Sequence, residues 1–281
     1  MGGFFGAVSH NDCISDVFFG TDYHSHLGTR RGGMTAYSPE LGFQRSIHSI
    51  ENSPFRTKFE SDIEGMRGNI CIGCISDSDP QPILVRSKLG LYAVCTVGII
   101  KNSAALCDEI LNSCSESFEV MSSGNVNSSS LIGALIAQKS SIVDGIKYAQ
   151  EKIEGSMSLM LMTSDGIIAA RDKLGRLPII IGKRSDGFCL SLESFAFQKL
   201  GYETYRELLP GEIVKLTSDK CEVLYGGGKD MKICSFLWTY YGYPNSVYEG
   251  VTVETMRTRN GEIMAEHDIE KGCLPDVDYV C

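Results

Sequence analysis

Apolar residues gather along the chain in short runs rich in Ile, Val, Leu and Met. GFFGAVS (3–9), GNICIGCIS (68–76), LYAVCTVGII (91–100), PIIIG (178–182) and GFCLSLES (187–194) have strand length. SMSLMLMTSDGIIAAR (156–171) is a longer run broken by Ser-Asp-Gly at 164–166, and the same turn signal recurs at 185–187. Several runs have no polar alternate face, so the sheets they predict are covered on both sides. Helical patterns lie between them: NSAALCDEILNSC (102–114, capped by Asn102 or Ser103), SSSLIGALIAQ (128–138) and SIVDGIKYAQEKI (141–153). After about residue 156 the chain turns mostly to strands.

VTVETMRTRNGEIMAEH (251–267) reads as an amphipathic helix, with Val253, Met256, Ile263, Met264 and His267 near one face. PDVDYVC (275–281) reads as a Pro-led strand that stops at the last residue. A long helix followed by such a strand predicts the entrance to a further domain. Its apolar stripe and unpaired strand need a partner surface.

The 281 residues suit one large domain or one domain and part of a second. A formal net charge of -9 disfavours a nucleic-acid partner, and the short basic run TRR (29–31) does not reverse that. Eleven cysteines, an odd number, and no basic-then-apolar leader predict a reduced, cytoplasmic setting. No apolar run reaches the roughly 18 residues of a membrane span. Gly6 stands where a myristoylation signal needs Ser or Thr, so no lipid anchor is expected.

Individual residues suggest chemistry only weakly. Cys71 and Cys74 are three apart on a predicted strand and so face opposite ways, which predicts buried thiols rather than a shared metal. His24 and His26 are spaced like a metal pair, but without a third ligand they read as a solvated loop. YGGGKD (225–230) lacks a following phosphate-binding helix and reads as a hairpin turn.

The segment at 156–194 and LLPGEIVKL (208–216) carry a recognisable pattern: Ala170-Arg171-Asp172, Gly175, Pro178, Glu193-Ser194 and Pro210-Gly211-Glu212. It resembles the class II glutamine amidotransferase domain of the amidophosphoribosyltransferase family. CSFLWTYYGYPNSVYEGVTVETMRTRNGEIMAEH (234–267) resembles the segment joining that domain to the family's phosphoribosyltransferase domain. The resemblance implies an α+β fold, the N-terminal-nucleophile hydrolase-like four-layer αββα sandwich of two antiparallel sheets. It implies domains at 1–235 and 236–281, the second an incomplete phosphoribosyltransferase-like domain.

In that family the first residue after methionine removal is a cysteine, which attacks the glutamine amide with its own α-amine as base. Gly2 lies at this position. Gly32 matches a glycine of the loop that shields glutamine, Ser76 an arginine that grips the substrate carboxylate, and Ser129 an aspartate that holds its ammonium. Val97 and Gly98 match an Asn-Gly oxyanion hole. Cys13 lacks a neighbouring α-amine and is no substitute nucleophile. Cys234 matches one iron–sulfur ligand of a family subset, but one cysteine cannot hold a cluster. No cofactor and no metal are therefore expected.

The resulting expectation is an amidophosphoribosyltransferase-like protein whose glutaminase domain has lost glutamine hydrolysis and keeps a structural, regulatory or binding role. The alternative is an active amidotransferase of purine nucleotide biosynthesis, or a parent transferase that uses ammonia. The family's phosphoribosyl-pyrophosphate loop appears nowhere in these residues. A homo-oligomer, and a small molecule in the altered glutamine pocket, are the expected partners.

Overall fold

A computed structural model describes residues 2–113, 118, 121 and 124–272. The elements of the first part are β1 (Gly2–Ser9), α1 (Ile14–Asp22), β2 (Arg31–Ser38), β3 (Gly42–Ser49), α2 (Phe55–Gly65), β4 (Ile70–Ser76), β5 (Ile83–Ser87) and β6 (Gly90–Ile100). Three helices follow, α3 (Ser103–Ser113), α4 (Ser128–Ala137) and α5 (Ile142–Lys152). Then come β7 (Gly155–Thr163), β8 (Gly166–Ala170), β9 (Ile180–Arg184), β10 (Gly187–Ser191), α6 (Phe195–Leu200), β11 (Glu203–Glu207), β12 (Ile213–Leu216) and β13 (Cys221–Tyr225).

The strands form two antiparallel sheets, ordered β11-β9-β10-β1-β4-β2-β3 and β13-β12-β8-β7-β6-β5. Strand β1 shows why both faces are apolar. Phe5 points outward onto α1, where it packs beside Gly20, and its ring meets that of Phe197 in α6. Gly6 points inward, and a Cβ there would lie 2.4 Å from Met160 Sδ in the second sheet. The outer face of the second sheet packs Tyr92, Val94, Leu159 and Leu161 against Leu131, Leu135, Ile146 and Ala149 of α4 and α5. The result is helices, sheet, sheet, helices, the four-layer α+β sandwich that the resemblance implied.

The periodic helices form close to their expected bounds. Asn127 caps α4 by accepting from the N–H groups of Ser129 and Ser130, and Ser141 caps α5 through Asp144 N. Asn102 instead joins α3 to the end of α5, donating to Lys152 O and accepting from Glu154 N. Two readings are corrected. His24 precedes a 3-10 turn (Ser25–Leu27) that contains His26, and His24 is fully buried rather than solvated. The glycine-rich 225–230 makes no hairpin: it ends β13 and runs on as a loop, held by Gly228 N donating to Pro210 O.

The chain divides into two compact units, Met1–Cys234 and Ser235–Cys281. In the second, a π-helix (Leu237–Tyr241) precedes the short pair β14 (Val247–Tyr248) and β15 (Val251–Thr252), then α7 (Val253–Lys271). Thr252 caps α7, and Arg257 donates to the carbonyls of Trp238 and Gly242. Val253 is buried, while Ile263 and Met264 of the expected stripe are exposed. The strand expected at 275–281 lies outside the described residues.

Candidate functional site

Gly2 opens β1 and lies directly opposite Ser76 in β4, which lies opposite Arg31 in β2. Gly2 and Ser76 are therefore neighbours on one face. Strand pairing leaves no space there: a Cβ on Gly2 would lie 2.6 Å from the carbonyl oxygen of Ile75. Gly32 falls one residue along β2 and points the other way, where a Cβ would meet Phe55 of α2 at 2.7 Å. Arg31 sits in the row of Ser76, but its guanidinium donates to Ser49 Oγ and Glu51 Oε1 at the surface.

Ser76 Oγ does not stand free as a clamp. It accepts from the N–H groups of Ser78 (3.2 Å) and Asp79 (3.1 Å) and so starts the turn after β4. That turn enters a buried polar network. Asp79 accepts from Ser128 N at the start of α4 (2.9 Å), and Asn127 donates to Pro80 O (2.9 Å). Ser129 Oγ donates to Gln81 Oε1 (2.7 Å), which also accepts from Thr96 N (2.7 Å), while Gln81 Nε2 donates to Thr96 O (3.2 Å). The hydroxyls of Thr96 and Ser129 meet at 3.0 Å. Gln81 O crosses so close to β2 that a Cβ on Gly33 would lie 1.7 Å away. Gly33, not the matched Gly32, is thus the glycine that the crossing loop demands.

Val97 and Gly98 lie opposite Ser158 and Met157 in β7. Thr96 turns its hydroxyl to α4, so Val97, one residue on, points to the opposite face of the sheet. Val97 therefore points away from Ser129, which lies in α4 on the other side of β6. Gly2 offers no side chain, Val97 no donor, and Ser76 and Ser129 no charge.

Several cysteines and His24 are held in the core. Cys13 is buried with its thiol donating to Ala7 O (3.5 Å). Burial pushes the thiols of Cys71, Cys95 and Cys189 up, away from the thiolate. Cys71 meets Cys13 and Cys74 meets Cys95, confirming that the Cys-x-x-Cys pair faces two ways. His24 is bonded to Gly20 O (2.7 Å) and Ser191 Oγ (3.0 Å), and burial pushes its pKa down, which keeps it neutral. That Ser–His contact is fully buried and acts as a core hydrogen bond.

The residues most legible in the sequence build scaffold. The buried Arg171 guanidinium donates to the carbonyls of Leu177 (3.0 Å), Leu208 (2.5 Å) and Gly175 (2.9 Å). Asp172 accepts from Leu174 N and Arg176 N, and Glu212 accepts a two-bond fork from Arg206 together with Leu209 N. Sequence reasoning missed Asp79, Gln81, Thr96 and Asn127. The short, doubly proline-marked DSDPQP (77–82) was the available signal.

No protein-family model matches the sequence. Among curated proteins, the amidophosphoribosyltransferase of Archaeoglobus fulgidus is 26% identical over 249 residues, covering 85% of this chain and 53% of that protein. Among solved structures, the Bacillus subtilis glutamine phosphoribosylpyrophosphate amidotransferase, complexed with ADP and GMP, superposes with a TM-score of 0.82 at 23% identity. It covers 94% of this chain, which covers 58% of it. A structure described as the allosteric regulatory enzyme of purine biosynthesis gives 0.84 at 22% identity, with the same coverage. The chain thus spans little more than half the length of these proteins. In sequence the chain is similar to amidophosphoribosyltransferases, and it shares the fold of these two solved structures over most of its own length.

Proposed function

We propose that this chain is an amidophosphoribosyltransferase-like protein whose glutaminase domain no longer hydrolyses glutamine and serves a structural, regulatory or binding role. The observation that carries the reading is the pairing of Gly2 with Ser76, which leaves neither a nucleophile nor room for one. Three further changes agree with it. The carboxylate clamp is a serine engaged in its own turn, the oxyanion donor is a valine, and the ammonium clamp is a serine bonded to Gln81. A rate loss at one oxyanion donor alone is about a hundred-fold or more. Loss of the nucleophile removes the covalent route.

The names of the relatives favour a second reading for any longer parent protein: an amidophosphoribosyltransferase of purine nucleotide biosynthesis, which without glutamine hydrolysis would take free ammonia. On that reading, 236–281 is the start of its phosphoribosyltransferase-like domain, and the assembly is a homo-oligomer. On either reading, a small molecule in the altered glutamine pocket is the proposed ligand. Among the described residues, no helix is long and apolar enough to cross a membrane.

The test is glutamate release from glutamine by the purified protein. The expected result is no release above the protein-free background. Hydrolysis that thiol alkylation abolishes would overturn the reading.

A further inference from the structure

Beneath the Gly2–Gly3 end of β1, on the helix-facing side, five polar side chains crowd together. A Cβ on Gly3 would touch His24 at 2.8 Å, and His24 bonds Ser191. Two residues further along each segment, His26 Nε2 meets Glu193 Oε1 at 3.0 Å. The Glu193 side chain is only 3% exposed, whereas that of His26 is 25% exposed and opens the cluster to solvent. Glu193 Oε2 is buried with no hydrogen-bond partner, and so is the hydroxyl of Ser25 beside His26. A buried carboxylate oxygen in this state calls for a cation or an ordered solvent molecule.

Two other histidine–carboxylate pairs serve as comparisons. His10–Asp219 is open to solvent, at 56% and 75% exposure. In His48–Asp62, the same carboxylate oxygen that meets the imidazole is also bonded by Ser46. Of these three pairs among the described residues, the one at Glu193 alone combines a buried, unpartnered oxygen with an accessible imidazole. The spacing also fits chelation. Ligands at about 2.0–2.1 Å from zinc, subtending 90–110°, lie roughly 2.9–3.4 Å apart.

We propose that His26 and Glu193 form a binding site for a divalent cation of the zinc class, independent of the glutaminase reading above. His26 Nε2 supplies the imidazole and Glu193 the carboxylate, a donor pair suited to a borderline cation rather than to calcium or magnesium. Among the described residues no three His, Cys, Asp or Glu side chains converge on a metal position. Solvent therefore completes the coordination, and the ion exchanges readily. Bound there, it ties the Ser25–Leu27 turn to the end of β10.

The test is a zinc chloride titration of the full chain, read by histidine side-chain NMR and by calorimetry. His26 resonances are expected to shift first, ahead of those of His10 and His48. Glu193→Gln is expected to weaken binding at least ten-fold. Because that buried change can unfold the chain, His26→Gln, at the accessible side, is measured beside it and should abolish the same binding event. Binding at cysteines leaves His26 unmoved and refutes the proposal. So does unchanged affinity in a folded His26→Gln variant, which marks an adventitious ion only, or the absence of any binding.

Discussion

Gly2→Cys is the sharpest perturbation of this molecule, because it returns the nucleophile and nothing else. If the proposed reading is right, activity stays far below that of a complete glutaminase site. The missing oxyanion donor at Val97 costs about 2.7 kcal/mol or more of transition-state stabilisation. A charge-assisted carboxylate clamp, absent at Ser76, is worth about 1.5–3 kcal/mol. Together they make about 4–6 kcal/mol, or about 10³–10⁴ in kcat/KM at 1.36 kcal/mol per decade. The new side chain also meets Ile75 O at 2.6 Å, so the Gly2–Ser76 end of the pairing must yield. That strain is bounded by the terminal strand contact it breaks, about 1 kcal/mol, and should lower Tm by about 2–4 °C in a domain of this size. The assay is glutamate release by the variant, with removal of the initiator methionine checked by mass, beside thermal unfolding of both proteins. Glutamine hydrolysis within ten-fold of a complete glutaminase, or a Tm above that of the parent, would refute the reasoning.

Three further outcomes are expected. Ser129→Asp should not rebuild an ammonium clamp but should destabilise the fold by about 3 kcal/mol or more, because it buries a carboxylate against Gln81 Oε1; urea denaturation decides, and an unchanged midpoint contradicts the network. Arg171→Leu strips the donors from three buried or partly buried carbonyls and should cost about 3 kcal/mol or more, whereas a loss under 1 kcal/mol would show the guanidinium to be dispensable. Hydrogen bonding from Arg184 holds the Asp186 carboxyl well below the usual carboxylate range. A depressed carboxylate contributes its stability above the unfolded value and loses it as pH falls, so stability should decline below about pH 4. Arg184→Gln should flatten that acid limb in urea midpoints taken across pH, and an unaltered limb would place its origin elsewhere.

What the sequence determined by itself is whatever rests on local pattern. Double-sided apolar strands specify sheets buried between layers, and the runs at 3–9, 68–76, 91–100 and 187–194 contribute β1, β4, β6 and β10. The apolar periods at 128–138 and 141–153 contribute α4 and α5, whose starts the structure then shows capped by Asn127 and Ser141. The Ala-Arg-Asp and Pro-Gly-Glu segments are legible because backbone carbonyls and N–H groups fix the few side chains able to satisfy them. The weakly patterned elements were not legible: α1, α2 and the β2–β3 hairpin carry mixed polar and apolar residues whose burial depends on neighbours far along the chain. Only the tertiary structure decided the site. Strand register alone sets Gly2 against Ser76, turns Gly32 to α2, and separates Val97 from Ser129 across one sheet. The physical reason is the two-residue period of a strand: a position matched by sequence acquires its direction, and its space, only when the partner strand is in place.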